Sequence, residues 1–398
     1  MIALQFSRSV PRYAASRALG KAAPGLLPRV APLRLGHIDD PKLPNDAWVR
    51  VHPRLSGICG SDIAMIAGTA SFYFSPIVST PFVPGHEIVG TLDDGARVVI
   101  EPVLACAARG IEPPCEACAS GHVGNCTRTG HGNLAPGLQT GYCEDTGGGW
   151  GTLLVAHRSQ VHAIPDALSD EAAVLIEPFA CAIHAVLRAG VEPGSTVLVS
   201  GAGTMGLLTI AGLRRLTEPA RIIAVAKHPR QREEARRLGA DDVVTPDAML
   251  RSVRLATRSL MNSPEQGKPW LAGGVDVSFE CSGNAEALDE CLRATRARGR
   301  VVLVGLPGPA RIDLAPVWHR ELDVTGAYTY GIEADGRHTF DIAIELARRI
   351  DLSTLLSATY PLTRYEEAID HAMDAGRLGA VKIAFDHRPR RSGAEAEG

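Results

Sequence analysis

The stretch Thr196-Val-Leu-Val-Ser-Gly201-Ala-Gly203-Thr204-Met205-Gly206 decides how this chain is read. A short apolar strand runs into three glycines at the spacing of a dinucleotide fingerprint, and a helix-like run follows. Gly201 suits a tight turn. Gly203 lets backbone N–H groups approach a pyrophosphate at the helix N-terminus, and Gly206 lets helix and strand pack closely. Thr204 and Met205 complete the turn and are assigned to the same coenzyme-binding set.

Outward from this turn the chain alternates. A helical pattern from Glu171 to Ala189 precedes it, and strands at Arg221 to Ala226, Val243, Val275 to Glu280 and Arg300 to Val304 follow. Helices at Gln231 to Leu238 and Ala285 to Arg296 separate them. Strands alternating with helices predict a doubly wound parallel sheet. Before about residue 165 the texture is β-rich, with short runs such as Ala47 to Val51, Phe82 to Leu92, Ala96 to Glu101 and Gly151 to Val155 broken by glycine and proline. From about Ala327 the rhythm is mixed, with helical patterns at Thr339 to Arg349 and Tyr365 to Asp374 and a closing strand at Ala380 to Phe385. The domains expected are 1–178, 179–326 and a C-terminal return over 327–398, with a frayed tail from His387.

An acidic residue about 20 positions beyond the glycine turn would bind the ribose 2′-hydroxyl of NAD. Here the stretch reads Ala226-Lys227-His228-Pro229. Cationic Lys227 and His228, with Arg230 or Arg232 nearby, suit a 2′-phosphate, so NADP is expected ahead of NAD.

The β-rich half carries donors for a metal: Gly57-Ile-Cys59-Gly-Ser61-Asp62, then Gly85-His86-Glu87, and later Glu177-Pro178. Thiolate, imidazole and carboxylate are zinc donors, and a catalytic zinc takes three protein ligands and keeps one position open. Cys59, His86, Glu87 and Glu177 form the candidate set. Four more cysteines, Cys106, Cys115, Cys118 and Cys126, crowd into 21 residues, and Cys115-x2-Cys118 has the chelate spacing of a structural site. Cys143, Cys181, Cys281 and Cys291 read as buried small residues. Crowded cysteines with no secretory signal before them suggest metal rather than disulfides and a reducing, cytoplasmic setting.

Composition excludes other classes. With 398 residues the chain exceeds the size of one core, and with 45% apolar and 21% charged residues and a net charge of −3 it is neither disordered nor basic enough for nucleic acid. No run approaches the roughly 18 apolar residues of a membrane span. The first 38 residues hold six Arg or Lys and no Asp or Glu, a targeting-like bias, but Pro11, Pro24, Pro28 and Pro32 should interrupt a long amphipathic helix.

Taken together, Cys59-Gly-Ser61-Asp62, Gly85-His86-Glu87, the cysteine lobe and the glycine turn resemble the zinc-containing medium-chain dehydrogenase/reductase family, over nearly the whole chain. The Glu177-Pro178 segment is similar to the polyol and threonine dehydrogenase branch. The resemblance implies an α/β fold: a GroES-like β-rich catalytic domain plus a Rossmann doubly wound parallel-sheet domain, with the active cleft between them. It implies a zinc-dependent enzyme passing hydride between an alcohol and NAD(P), and a homodimer or homotetramer acting on a small molecule. Polyol-like or hydroxylated cyclic alcohols lead. An NADPH-dependent aldehyde or ketone reductase is the alternative, and a non-catalytic nucleotide-binding scaffold a distant third.

Residue by residue, Cys59, His86 and Glu177 match ligand positions, and Glu87 matches a carboxylate that binds zinc or withdraws behind a water. Ser61 matches the hydroxyl that begins proton relay, and Asp62 the carboxylate that holds His86. Two departures matter. Ala64 stands where many relatives carry a proton-relay His, which excludes that exit, and Tyr328-Thr329-Tyr330 replaces a Phe-Arg-Tyr segment, which disfavours sorbitol itself. In the lobe, Glu112 stands at the usual first cysteine, so Cys106 is expected to loop back and complete four sulfurs. The aromatic loop Ala70 to Pro76 is expected beside the substrate cleft.

Overall fold

The computed structural model describes residues 1–22 and 24–389. The tail expected to fray falls mostly on 390–398, outside the described residues. Strands are numbered in chain order: β1 (Ile2–Phe6), β2 (Leu33–His37), β3 (Trp48–Gly57), β4 (Ile88–Leu92), β5 (Arg97–Ile100), β6 (Leu154–His157) and β7 (Val161–Ala163) fill the first half. The second holds β8 (Thr196–Ser200), β9 (Arg221–Val225), β10 (Asp242–Val244), β11 (Leu260–Asn262), β12 (Trp270–Ala272), β13 (Val275–Glu280), β14 (Thr295–Leu303), β15 (Asp323–Gly326), β16 (Leu356–Tyr360) and β17 (Lys382–Asp386).

One sheet runs β10-β9-β8-β13-β14-β15, parallel throughout. Its order reverses between β8 and β13, and such a switch point is where α/β sheets bind ligands at the carboxyl ends of their strands. Val197, Leu198 and Val199 of β8 are all fully buried, as helices on both faces of a parallel sheet require. The helix Thr204–Leu216 packs against the helix Ile176–Ala189, whose own apolar face begins at the Glu177-Pro178 segment.

The second sheet runs β16-β17-β3-β4-β5-β7, with β6 also on β3. The closing strand β17 lies antiparallel on β3, so the C-terminal segment returns to the first half and sets Lys382 beside the residues that follow β3. Two expectations are corrected here. The strand expected over Phe82 to Leu92 forms only from Ile88, because Pro84 offers no backbone N–H to a ladder and the chain turns at Gly85. That turn frees His86 and Glu87 from the sheet. A helix, Val10–Ala22, also forms among the N-terminal prolines, since Pro11 falls in its first turn, where no intrahelical bond is lost, and the helix ends before Pro24. Among the described residues no helix is long and apolar enough to cross a membrane.

Candidate active site and metal centres

The site is assembled at the edges of three strands. β3 ends at Gly57, and Cys59 then caps the helix Gly60–Ile66. His86 and Glu87 arrive just before β4, and Lys382 opens β17. The Cys59 Sγ, a His86 ring nitrogen and a Glu87 carboxylate oxygen lie within 4.8 Å of one another. Glu87 lies so close over Gly57 that a β-carbon there would collide with its carboxylate.

Asp62, wholly buried, organises this group. Its Oδ2 accepts the Cys59 N–H at 3.0 Å, and its Oδ1 stands 3.6 Å from His86 Nδ1 and accepts the Tyr142 hydroxyl at 3.4 Å. Burial together with the Asp62 charge pushes the Tyr142 pKa well up. Burial works against a charged His86, yet Asp62, Cys59 and Glu177 raise it to about 10. The cluster therefore draws positive charge. With sulfur, nitrogen and oxygen donors converging, the residues fit a zinc ion.

Glu177 stands apart from that group. Its Oε1 accepts the Cys181 thiol one helical turn on, at 3.5 Å, and burial pushes its pKa up to about 7, against the pull of His86. The donors close enough to share one ion are thus Cys59, His86 and Glu87, with Glu177 as a nearby carboxylate. Cys181 is correspondingly more than a small core residue, being half-buried and engaged with Glu177. Glu87 is engaged from its other side by the Lys382 ammonium, which also donates to the Ile58 carbonyl at 3.1 Å.

In the lobe, all four cysteine sulfurs lie within 4.8 Å of one another. Cys106 and Cys126 are 3.7 Å apart and Cys115 and Cys126 3.9 Å. Four sulfurs about 2.3 Å from a tetrahedral zinc stand about 3.8 Å apart, so the arrangement fits. Glu112 is not in the group. The Cys115 N–H donates to Cys106 Sγ and the Arg128 N–H to Cys126 Sγ, bonds that favour thiolates.

Across the cleft, Gly201 adopts φ +97°, and a β-carbon on Gly206 would collide with the Gly201 carbonyl. A β-carbon on Gly203 would meet nothing, so the space before the helix N-terminus is left open, as a pyrophosphate needs. Thr204 Oγ1 donates to the Val381 carbonyl at 3.2 Å, tying this turn to β17. A cleft of about 230 Å³ is lined by Cys59, Glu87, Thr204, Met205, Cys281 and Lys382, which joins the two halves of the site.

Lys227 is exposed at the end of β9 and forms no ion pair among the described residues. Arg232 donates to the Lys227 carbonyl, whereas Arg230 is occupied by Glu233 and Glu234. His228 caps the helix Pro229–Leu238 and packs beside Gly376. Thr329, where an arginine was expected from the resemblance, has φ +56° and buries its hydroxyl against Gly124 of the lobe. The aromatic loop is not in the lining of the cleft: Phe72 is 64% and Tyr73 80% exposed, with Phe72 against Tyr13 of the N-terminal helix.

Sequence reading missed Lys382 and Tyr142. A lysine inside the apolar run Val381-Lys-Ile-Ala was the available signal for the first. Tyr142 carried none, since the turn that delivers it is not periodic.

Known proteins resemble this chain over most of its length. Residues 45–166 match the alcohol dehydrogenase GroES-like domain and residues 204–349 the zinc-binding dehydrogenase domain. The chain is 30% identical to sorbitol dehydrogenase of Bacillus subtilis over 335 residues, covering 80% of this chain and 84% of that protein. It is 29% identical to L-idonate 5-dehydrogenase of Vitis vinifera, covering 86% and 88%. The crystal structure of L-idonate 5-dehydrogenase from Escherichia coli K-12 superposes with a TM-score of 0.68 at 26% identity, over 89% of this chain and 94% of that one.

Proposed function

Because this chain belongs to the zinc-dependent alcohol dehydrogenase family, in its polyol branch, we propose that it passes hydride between a secondary hydroxyl of an uncharged polyol or hydroxylated cyclic alcohol and NADP. The observation that carries the proposal is the single cleft in which Cys59 and Glu87 face Thr204 and Met205. When bound at Cys59, His86 and Glu87, zinc supplies a Lewis acid for the alcohol oxygen.

The chain's own residues do the rest. Asp62 fixes the orientation of His86 and, through the Cys59 N–H, the start of the helix that presents Ser61. Ser61 takes the first proton, and the neighbouring Tyr142 hydroxyl donates to Asp62. The glycine turn orients the coenzyme with its pyrophosphate at the helix N-terminus, and Lys227 with Arg232 receives the 2′-phosphate. With Thr329 turned into the lobe, no arginine from that segment reaches the substrate, which disfavours sorbitol itself among the polyols. Cys106, Cys115, Cys118 and Cys126 would hold a second, structural zinc. The matched relatives are named as dehydrogenases of a sugar alcohol and a sugar acid, and nothing about them favours the aldehyde-reductase alternative. We place the chain in the reducing cytoplasm, where its nine free cysteines persist, as a homodimer or homotetramer.

The test is nicotinamide absorbance in zinc-replete protein against polyols, cyclic alcohols, aliphatic alcohols and the matching carbonyls, with each coenzyme and with a chelator. Chelator-sensitive oxidation of a neutral polyol or cyclic alcohol, faster with NADP, is expected. Turnover that ignores the chelator would end the zinc reading, and equal or better rates with NAD would end the coenzyme assignment.

A further inference from the structure

Glu101, His162 and His338 take no part in the centres described so far. Glu101 follows β5, and His162 lies in the neighbouring strand β7, while His338 comes from the C-terminal segment, where it caps the helix Thr339–Ala347. His162 Nε2 is 3.0 Å and His338 Nε2 3.4 Å from the same oxygen, Glu101 Oε2. Glu101 is buried, and among the described residues no lysine or arginine pairs with it. Its only chargeable partners among the described residues are these two imidazoles.

The geometry points to a third metal site, for a zinc-class divalent ion held by Glu101 Oε2, His162 Nε2 and His338 Nε2. The three atoms lie within 4.8 Å of one another. Donors about 2.0–2.1 Å from a tetrahedral ion stand about 3.3 Å apart, and the measured separations of 3.0 and 3.4 Å straddle that value. Two nitrogens and one oxygen suit zinc or its borderline neighbours rather than calcium or magnesium.

The surroundings support the same assignment. Phe340 stacks on His162 with centroids 4.7 Å apart, which fixes the ring, and Asp341 stands 4.0 Å from His162 Nδ1 on the side away from the site. His338 Nδ1 accepts the Phe340 N–H at 3.2 Å, and its Nε2 stands on the Glu101 side of the ring. An ion on Nε2 would give up this one long bond, because the neutral ring then carries its proton on Nδ1. Both imidazoles are partly exposed, at 15% and 22% of their side chains, which leaves the ion a path from solvent. The ion would clamp the C-terminal segment to the β5–β7 edge.

The test compares full-length wild type with His162→Gln and the isosteric Glu101→Gln. Each is loaded with Zn²⁺, dialysed against metal-free buffer and assayed for zinc per chain. Each variant should hold one zinc fewer than wild type, and mild chelation of wild type should lower its melting temperature to that of the variants. Equal zinc content in wild type and both variants would overturn the site, as would a wild-type melting temperature that does not respond to chelation. Because the zinc count is read as a difference from wild type, it does not depend on how the catalytic and lobe sites are filled.

Discussion

Lys382 keeps its charge in the interior, where it is 3% exposed, because Glu87 lies against it. Burial pulls its pKa down, and the charges of Glu87 and Cys59 more than restore it. In zinc-free protein, replacing Lys382 by Met takes the adjacent ammonium from buried Glu87, a change that typically costs about 3–5 kcal/mol. Urea unfolding of Lys382→Met should register that loss, and Lys382→Met with Glu87→Gln should recover most of it. A double variant as unstable as the single one would show that charge compensation is not the cause. The contrast with Cys59 and His86 shows which residues sequence can reveal. A cysteine and a histidine in tight polar turns have few alternatives to chemistry, so they were legible. Lys382, Tyr142 and the Glu101 cluster acquire their partners from distant strands, and no local pattern encodes that.

At the scale of elements, Asp170 opens the helix Asp170–Ala173 and receives Arg54 Nε on Oδ2 at 2.8 Å and Arg97 Nη2 on Oδ1 at 2.7 Å. Arg388 adds a longer contact at 3.5 Å, so β3, β5 and the end of the described chain meet on one carboxylate. Burial raises its pKa, but Arg97 and Arg54 outweigh burial and hold it below the usual value. A depressed folded pKa means stability that is present above the unfolded pKa of about 3.9 and lost as pH falls through the lower folded value. Asp170→Asn should therefore be less stable by about 2 kcal/mol near neutral pH, with the gap to wild type closing below about pH 4. Denaturation midpoints across that range test it, and a gap independent of pH would refute it. The cysteine lobe shows the same mixture of legible and hidden. Its four sulfurs were legible from crowding, whereas the buried Arg109, which donates to the carbonyls of Leu104, His131, Leu134, Ala135 and Gly137 and so shapes the loop beside it, read as an ordinary charged residue.

At the scale of the molecule, the parallel sheet was legible because each of its strands is a local apolar run between helices, and the glycine turn fixes which strand stands at the centre. The antiparallel sheet was legible only in texture. Its order depends on pairings such as β17 with β3, which join the two ends of the chain and leave no periodic trace. That closure nonetheless makes the site: it brings Lys382 and Val381 to the cleft, and Thr204 reaches across to the Val381 carbonyl. Hydride transfer in this account needs both walls, the Cys59–His86–Glu87 set and the glycine turn, and each can be disabled alone. The most direct measurement is therefore His86→Ala, followed for steady-state turnover and, separately, for coenzyme binding by fluorescence titration. Turnover should fall by about a thousandfold or more, as expected when an electrostatic centre for the reacting oxygen is lost, while coenzyme affinity stays within a few-fold of wild type. Undiminished turnover in His86→Ala would contradict the account at its centre.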